Sequence, residues 1–64
     1  MSIIHLIATQ NALLLVYRTT DSVYSYQILF WNGLVFIPQE LYPHAYIALN
    51  VGRDRIKLVT GSPE

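Results

Sequence analysis

The chain is 64 residues long, with no cysteine, four basic and four acidic side chains, and 53% apolar residues. Without thiols it forms neither a disulfide nor a thiolate metal site, and two histidines with four carboxylates are a poor set for a structural zinc centre. Zero net charge argues against a duplex-DNA footprint, so composition implies no cofactor and no resident metal.

Short runs rich in Ile, Val, Leu, Tyr and Phe, separated by turn residues, follow one another along the chain, which is strand chemistry. The first two, Ile3 to Thr9 and Ala12 to Thr19, are joined by a turn at Gln10-Asn11 and are apolar on both sides. Ile4, Leu6, Leu13, Leu15 and Tyr17 fall on one side, and Ile7, Leu14 and Val16 on the other. Strands apolar on both faces have to be covered twice. These two runs are also the ones whose continuous apolar character is most easily confused with a helix.

After a turn at Thr19 to Ser22, a third run, Val23 to Trp31, leads into Asn32-Gly33 and a fourth run, Leu34 to Ile37. Asn-Gly favours a two-residue type I′ turn, because both central residues take positive φ. That turn pairs Trp31 with Leu34, Phe30 with Val35, Leu29 with Phe36 and Ile28 with Ile37. Alternation then places Tyr24, Tyr26, Ile28, Phe30, Val35 and Ile37 on a core face, with Leu29, Trp31, Leu34 and Phe36 opposite. Apart from the first two runs, only Pro38 to Tyr42 has room for a helical turn. The last two runs, Ala45 to Val51 and Arg55 to Thr60, form a hairpin about Gly52-Arg53 in the same reading, with Ile47, Leu49, Ile56 and Leu58 inside.

The predicted fold is therefore all-β: one domain over residues 1–64, built from five to six short antiparallel strands as a small barrel or a bent meander, of SH3 or OB size. A folded chain of this mass exposes about 4,200 Å² and buries about 60% of its extended surface, which is marginal. Small domains add disulfides, metals or oligomerisation to so thin a core. With the first two excluded by composition, a homo-oligomer is expected. The longest apolar stretch, Ile3 to Tyr17, is interrupted by His5, Thr9, Gln10 and Asn11, short of the ~20 continuous apolar residues of a membrane span. It also lacks the basic start and small-residue cleavage site of a signal peptide. A cytoplasmic protein with no membrane partner is the expectation.

Catalytic chemistry finds little support. Ser2, Ser22, Ser25 and Ser62 lie near termini, in a turn or on a polar strand face, without a Gly-x-Ser-x-Gly elbow. The i, i+4 pair Glu40 and His44 suits an acid–base couple only on a helix, and Pro38 and Pro43 oppose one there. The chain is thus read as a non-enzyme, an interaction module of inhibitor or adaptor type with a protein partner. Leu29, Trp31, Leu34 and Phe36 are its candidate interaction residues, because large apolar side chains clustered beside a turn are typical binding anchors. The alternative is a single-stranded nucleic-acid binder using Tyr46 as a stacking platform and Arg53, Arg55 and Lys57 for phosphates. The segment Val35-Phe36-Ile37-Pro38 with Glu40-Leu41-Tyr42-Pro43 resembles part of the small-barrel plasmid toxins, gyrase poisons and messenger-RNA interferases. That resemblance is confined to generic strand-and-turn residues, and no site residue is carried over from it.

Overall fold

The computed structural model describes residues 2–20 and 22–61; Asp21, in the expected turn after the second strand, and Ser62 lie outside the described residues. Four strands, β1 (Ser2–Ala8), β2 (Ala12–Thr20), β3 (Val23–Phe30) and β4 (Val35–Phe36), precede one helix, α1 (Ala45–Thr60). The strands form a single antiparallel sheet in the order β1-β2-β3-β4, a meander. The fold is mostly β. It is not all-β with five or six strands, and the sheet does not close into a barrel.

The first hairpin has the register that a Gln10-Asn11 turn dictates: Ala8 faces Leu13, Ile7 faces Leu14 and Leu6 faces Leu15. Thr9 holds the turn, its Oγ1 accepting from the Ala12 N–H at 3.0 Å while its own N–H donates to the Ala12 carbonyl at 2.8 Å. The pairing slips only between Ile3 and His5, where a bulge bends the edge strand.

In the β3–β4 hairpin the turn is one residue longer than Asn-Gly alone implies. The Phe30 N–H donates to the Leu34 carbonyl at 2.8 Å, leaving Trp31, Asn32 and Gly33 as a three-residue loop. Gly33 takes φ +97°, the positive value such a loop needs near its end. Leu29 consequently pairs with Val35 and Ile28 with Phe36. A shift of one residue inverts every side chain on the returning strand: Phe36 turns toward the core, while Val35 and Ile37, expected inside, are exposed. Beyond β4 the chain loops out, touches β3 again at the Tyr24–Tyr42 bridge, and has no helical turn at Pro38 to Tyr42.

The expected last hairpin is α1. Its segment carries apolar residues at both periods, and the helical set Ala45, Ala48, Leu49, Gly52 and Ile56 is the one buried or packed on the core. Gly52 is not a turn residue but a close-approach point: a Cβ built there would lie 2.6 Å from Leu14 Cδ1. Small side chains at Ala45, Ala48 and Gly52 let the helix backbone come down onto the sheet. The helix ends at Gly61, whose N–H donates to the Lys57 carbonyl. Leu58, expected on the inner side, is exposed.

The core lies between α1 and one face of the sheet, from Ala12, Leu14 and Val16 on β2, Tyr26, Ile28 and Phe30 on β3, and Ala48 and Ile56 on α1. The helix rests on the two central strands. One layer of helix thus covers one face of the sheet.

Candidate interaction surface

The face of the sheet turned away from α1 follows from the register: Leu6 and Ala8 on β1, Leu13, Leu15 and Tyr17 on β2, Ser25, Gln27 and Leu29 on β3, and Val35 on β4. An antiparallel sheet with one wet face normally alternates apolar and polar residues. Here the outward positions are mostly apolar as well. Exposures of 54, 60, 40 and 56% at Ile3, Leu6, Leu29 and Val35, with half-buried Leu13 and Leu15 between them, leave on the order of 500 Å² of apolar surface on one face, as large as the biggest patch of a typical monomer. Leu13, Leu15, Gln27, Leu29 and Val35 border a shallow depression of about 240 Å³ at its centre.

The polar groups on this face are hydrogen-bonded within the chain. Gln27 Nε2 donates to the Tyr17 hydroxyl at 3.4 Å, and Ser25 Oγ donates to the Glu40 carbonyl at 3.1 Å, which brings the post-β4 loop over that end of the sheet. None of the face residues is charged. Tyr17 is buried although it lies outside the core cluster, because its neighbours on this face crowd it.

The four residues expected to share the hairpin surface are separated. Leu29 lies on the open face. Phe36 lies on the helix side, its ring 6.2 Å from that of Tyr26 and covered by the Arg55 guanidinium at 5.2 Å. Trp31 and Leu34 stay exposed in and beside the tip, at 57 and 63%. Trp31 is tied back by its indole N–H, which donates to the Thr9 carbonyl at 3.2 Å, so the two turns at this end of the molecule brace each other.

The nucleic-acid candidates divide as well. On a helix, positions i, i+7 and i+11 lie close to one line, so Tyr46, Arg53 and Lys57 share a flank of α1. Arg55 is on the other flank, over Phe36. Tyr46 stacks on His44 with ring centroids 5.3 Å apart, and Arg53 and Lys57 border a groove of about 320 Å³ with Thr9 and Ile56. Glu40 and His44 take different partners: Glu40 Oε1 accepts the Tyr42 hydroxyl at 2.6 Å. Burial first, and then this bond and the adjacent negative charge, raise the Tyr42 hydroxyl to about 12. Among the described residues no three His, Asp or Glu side chains gather as a metal site, and no helix is long and apolar enough to cross a membrane.

No protein-family model, curated protein or solved structure matches the chain. Leu6, Leu13, Leu15 and Val35 were not among the expected site residues. For Leu6, Leu13 and Leu15 the signal was the first hairpin, apolar on both sides, but only the position of α1 decides which side stays open; Val35 reaches this face through the longer β3–β4 loop.

Proposed function

We propose that the protein is a non-enzymatic interaction module whose working surface is the uncovered apolar face of its sheet. The observation that supports this reading is the pairing of a complete one-sided core with a second, uncharged apolar face across β1 to β4. Exposing that area to water is unfavourable in proportion to its size, and occupation by another macromolecule removes the cost. The module acts by covering a partner's surface, as compact inhibitors and adaptor subunits do. A photo-crosslinking residue placed at Leu29, and separately at Tyr46 on the outer side of α1, tests this in the cells that make the protein. Macromolecular adducts from position 29 and none from position 46 are expected. Adducts from position 46 alone refute the reading.

A second reading draws on the shared flank of Tyr46, Arg53 and Lys57. These residues form a short strip in which an aromatic ring stacks a base and two cations hold the backbone of a single strand. Against it stand the diversion of Arg55 to Phe36 and the acidic Asp54 between the cations in sequence. Fluorescence anisotropy with a mixed-sequence single-stranded oligonucleotide at low salt discriminates. Binding that is lost in an Arg53→Ala/Lys57→Ala variant and kept in Arg55→Ala supports this reading, whereas no binding by the parent protein removes it.

A further inference from the structure

The assignment of the open sheet face as an interaction surface leaves its occupant to be named. We infer that the occupant is a second copy of this chain, packed sheet against sheet about a twofold axis, an inference that rests on the surface assignment above. The area is the first ground. Two such faces bring together about 1,000 Å² of apolar side chain in total, the lower threshold of a specific protein interface. Sheets stacked face to face lie about 10 Å apart with interdigitated side chains. The product is a four-layer particle with a helix on each outer side, and the chain's central strands are then covered twice.

Charge is the second ground. A twofold interface sets each group against itself or its symmetry mate, so a charged residue near its centre meets its own sign. None of the strand residues on this face is charged: Arg53, Asp54, Arg55 and Lys57 sit on the helix layer, Arg18 falls by register on the helix side of β2, and Glu40 lies on the loop at the Ser25 end. The same distribution disfavours other occupants. A membrane surface draws an apolar face that has cations beside it, and here Arg53, Arg55 and Lys57 are on the helix and Arg18 is on the helix side of the sheet. A different protein is selected and steered by complementary charges, and this face offers none.

The third ground is Gln27. It pairs with Leu15 at the middle of the two central strands, so a twofold axis through the centre of the face passes close to it. A primary amide carries donors and an acceptor and is complementary to itself, and two Gln27 side chains related by the axis exchange reciprocal hydrogen bonds. One buried polar pair in an apolar interface fixes register at little area. Gln27 is the residue that selects one alignment of the two sheets among the sliding alternatives that leucines alone allow.

Light scattering coupled to gel filtration on the full chain, from low to high micromolar concentration, reads the outcome. A mass twice the 7.3 kDa of the chain is expected for the parent protein. Leu29→Lys and, independently, Leu6→Lys occupy exposed positions in one copy, so each is expected to keep its far-ultraviolet circular dichroism while weakening the dimer by about a hundredfold or more, because an unpaired charge is then buried at the interface. Trp31→Lys, at the tip, is expected to remain dimeric. A 7.3 kDa parent species at every concentration overturns the second copy, and if position 29 still crosslinks to another macromolecule in cells, the surface assignment survives it. A dimer that persists in both Leu29→Lys and Leu6→Lys overturns the sheet-to-sheet packing, because the copies then join through the β1 edge or the tip, and the surface assignment is then decided by crosslinking at position 29 alone.

Discussion

Gly52 is the position at which helix and sheet come closest, and replacing it by alanine sets two known effects against each other. In an exposed helix interior, Gly→Ala stabilises by about 1 kcal/mol, because glycine loses more backbone freedom on folding. Here the added Cβ would stand 2.6 Å from Leu14 Cδ1 and 3.3 Å from both Leu14 Cδ2 and Tyr26 Cδ1. Leu14 and Tyr26 are fully buried, so neither has a free direction in which to move. The helix must rise, or Leu14 must leave its rotamer. Overpacking of this kind costs about 1–3 kcal/mol, and the steric contact is severe enough to place Gly52→Ala toward the upper end. A net loss of about 1–2 kcal/mol is expected, which for a domain of this size lowers Tm by roughly 4–8 °C per kcal/mol. Urea unfolding followed by circular dichroism, at several protein concentrations to separate folding from association, measures it. Leu14→Val removes the colliding Cδ atoms, and in that background Gly52→Ala is expected to be neutral or stabilising. The resulting double-mutant coupling is about 1–3 kcal/mol. A Gly52→Ala variant that gains about 1 kcal/mol in the parent background refutes the seating of α1 on Leu14.

Three further outcomes are expected. The Tyr26 hydroxyl is buried with no hydrogen-bond partner among the described residues, and such a group costs about 1–3 kcal/mol; Tyr26→Phe is therefore expected to raise Tm by several degrees, and a lowered Tm shows that the hydroxyl is bonded. Tyr42 holds its proton up to about 12 in the folded protein, against 10.0 ordinarily, so between those values the folded state binds more protons than the unfolded one and stability falls as pH rises. Tyr42→Phe flattens that decline in melting curves taken from pH 9 upward, and an unchanged slope refutes the link to Tyr42. Trp31→Phe removes the indole donor to the Thr9 carbonyl and is expected to cost about 0.5–1.5 kcal/mol without altering the molecular mass in solution; a change of mass places the tip in the interface.

How far the sequence discloses this molecule is clearest at two of its turns and its one close approach. At Gln10-Asn11 the turn is a true two-residue connection, so the register of β1 against β2 follows from counting outward, until the bulge at Ile4. At Asn32-Gly33 the turn is where the residue types put it, but Trp31 joins the loop, and that single residue exchanges Phe36 with Val35 across the sheet. Loop length is decided by the twist and packing of the flanking strands, which no local dipeptide reports. At Gly52 the same residue type serves a different purpose, a helix–sheet contact, and the segment around it satisfies both strand and helix periods. Only the presence of Leu14 opposite decides between them. The functional surface divides in the same way: two-sided apolarity in β1 and β2 is visible residue by residue, whereas the side left open depends on where α1 lands.

The position of α1 over the two central strands sets an order in which the molecule comes apart. Strand β2 lies between two long ladders beneath the helix, and β3 shares one of them and is joined on its other side by β4 at Ile28 and Leu29 and by the Tyr24–Tyr42 bridge, whereas β1 is held by one ladder and the braced turn at Thr9. Local opening follows the fewest buried contacts, so exchange of amide hydrogens with solvent begins in β1 and reaches β2, β3 and α1 only through global unfolding. A β1 that lifts away uncovers the edge of β2, a template to which a foreign strand can pair. The bulge between Ile3 and His5 shortens the straight part of that outer edge, and β4 presents only two residues at the other. Both margins of the sheet are thus poor templates while the strands stay in place, and the rate at which β1 detaches governs how long the protein survives in concentrated solution.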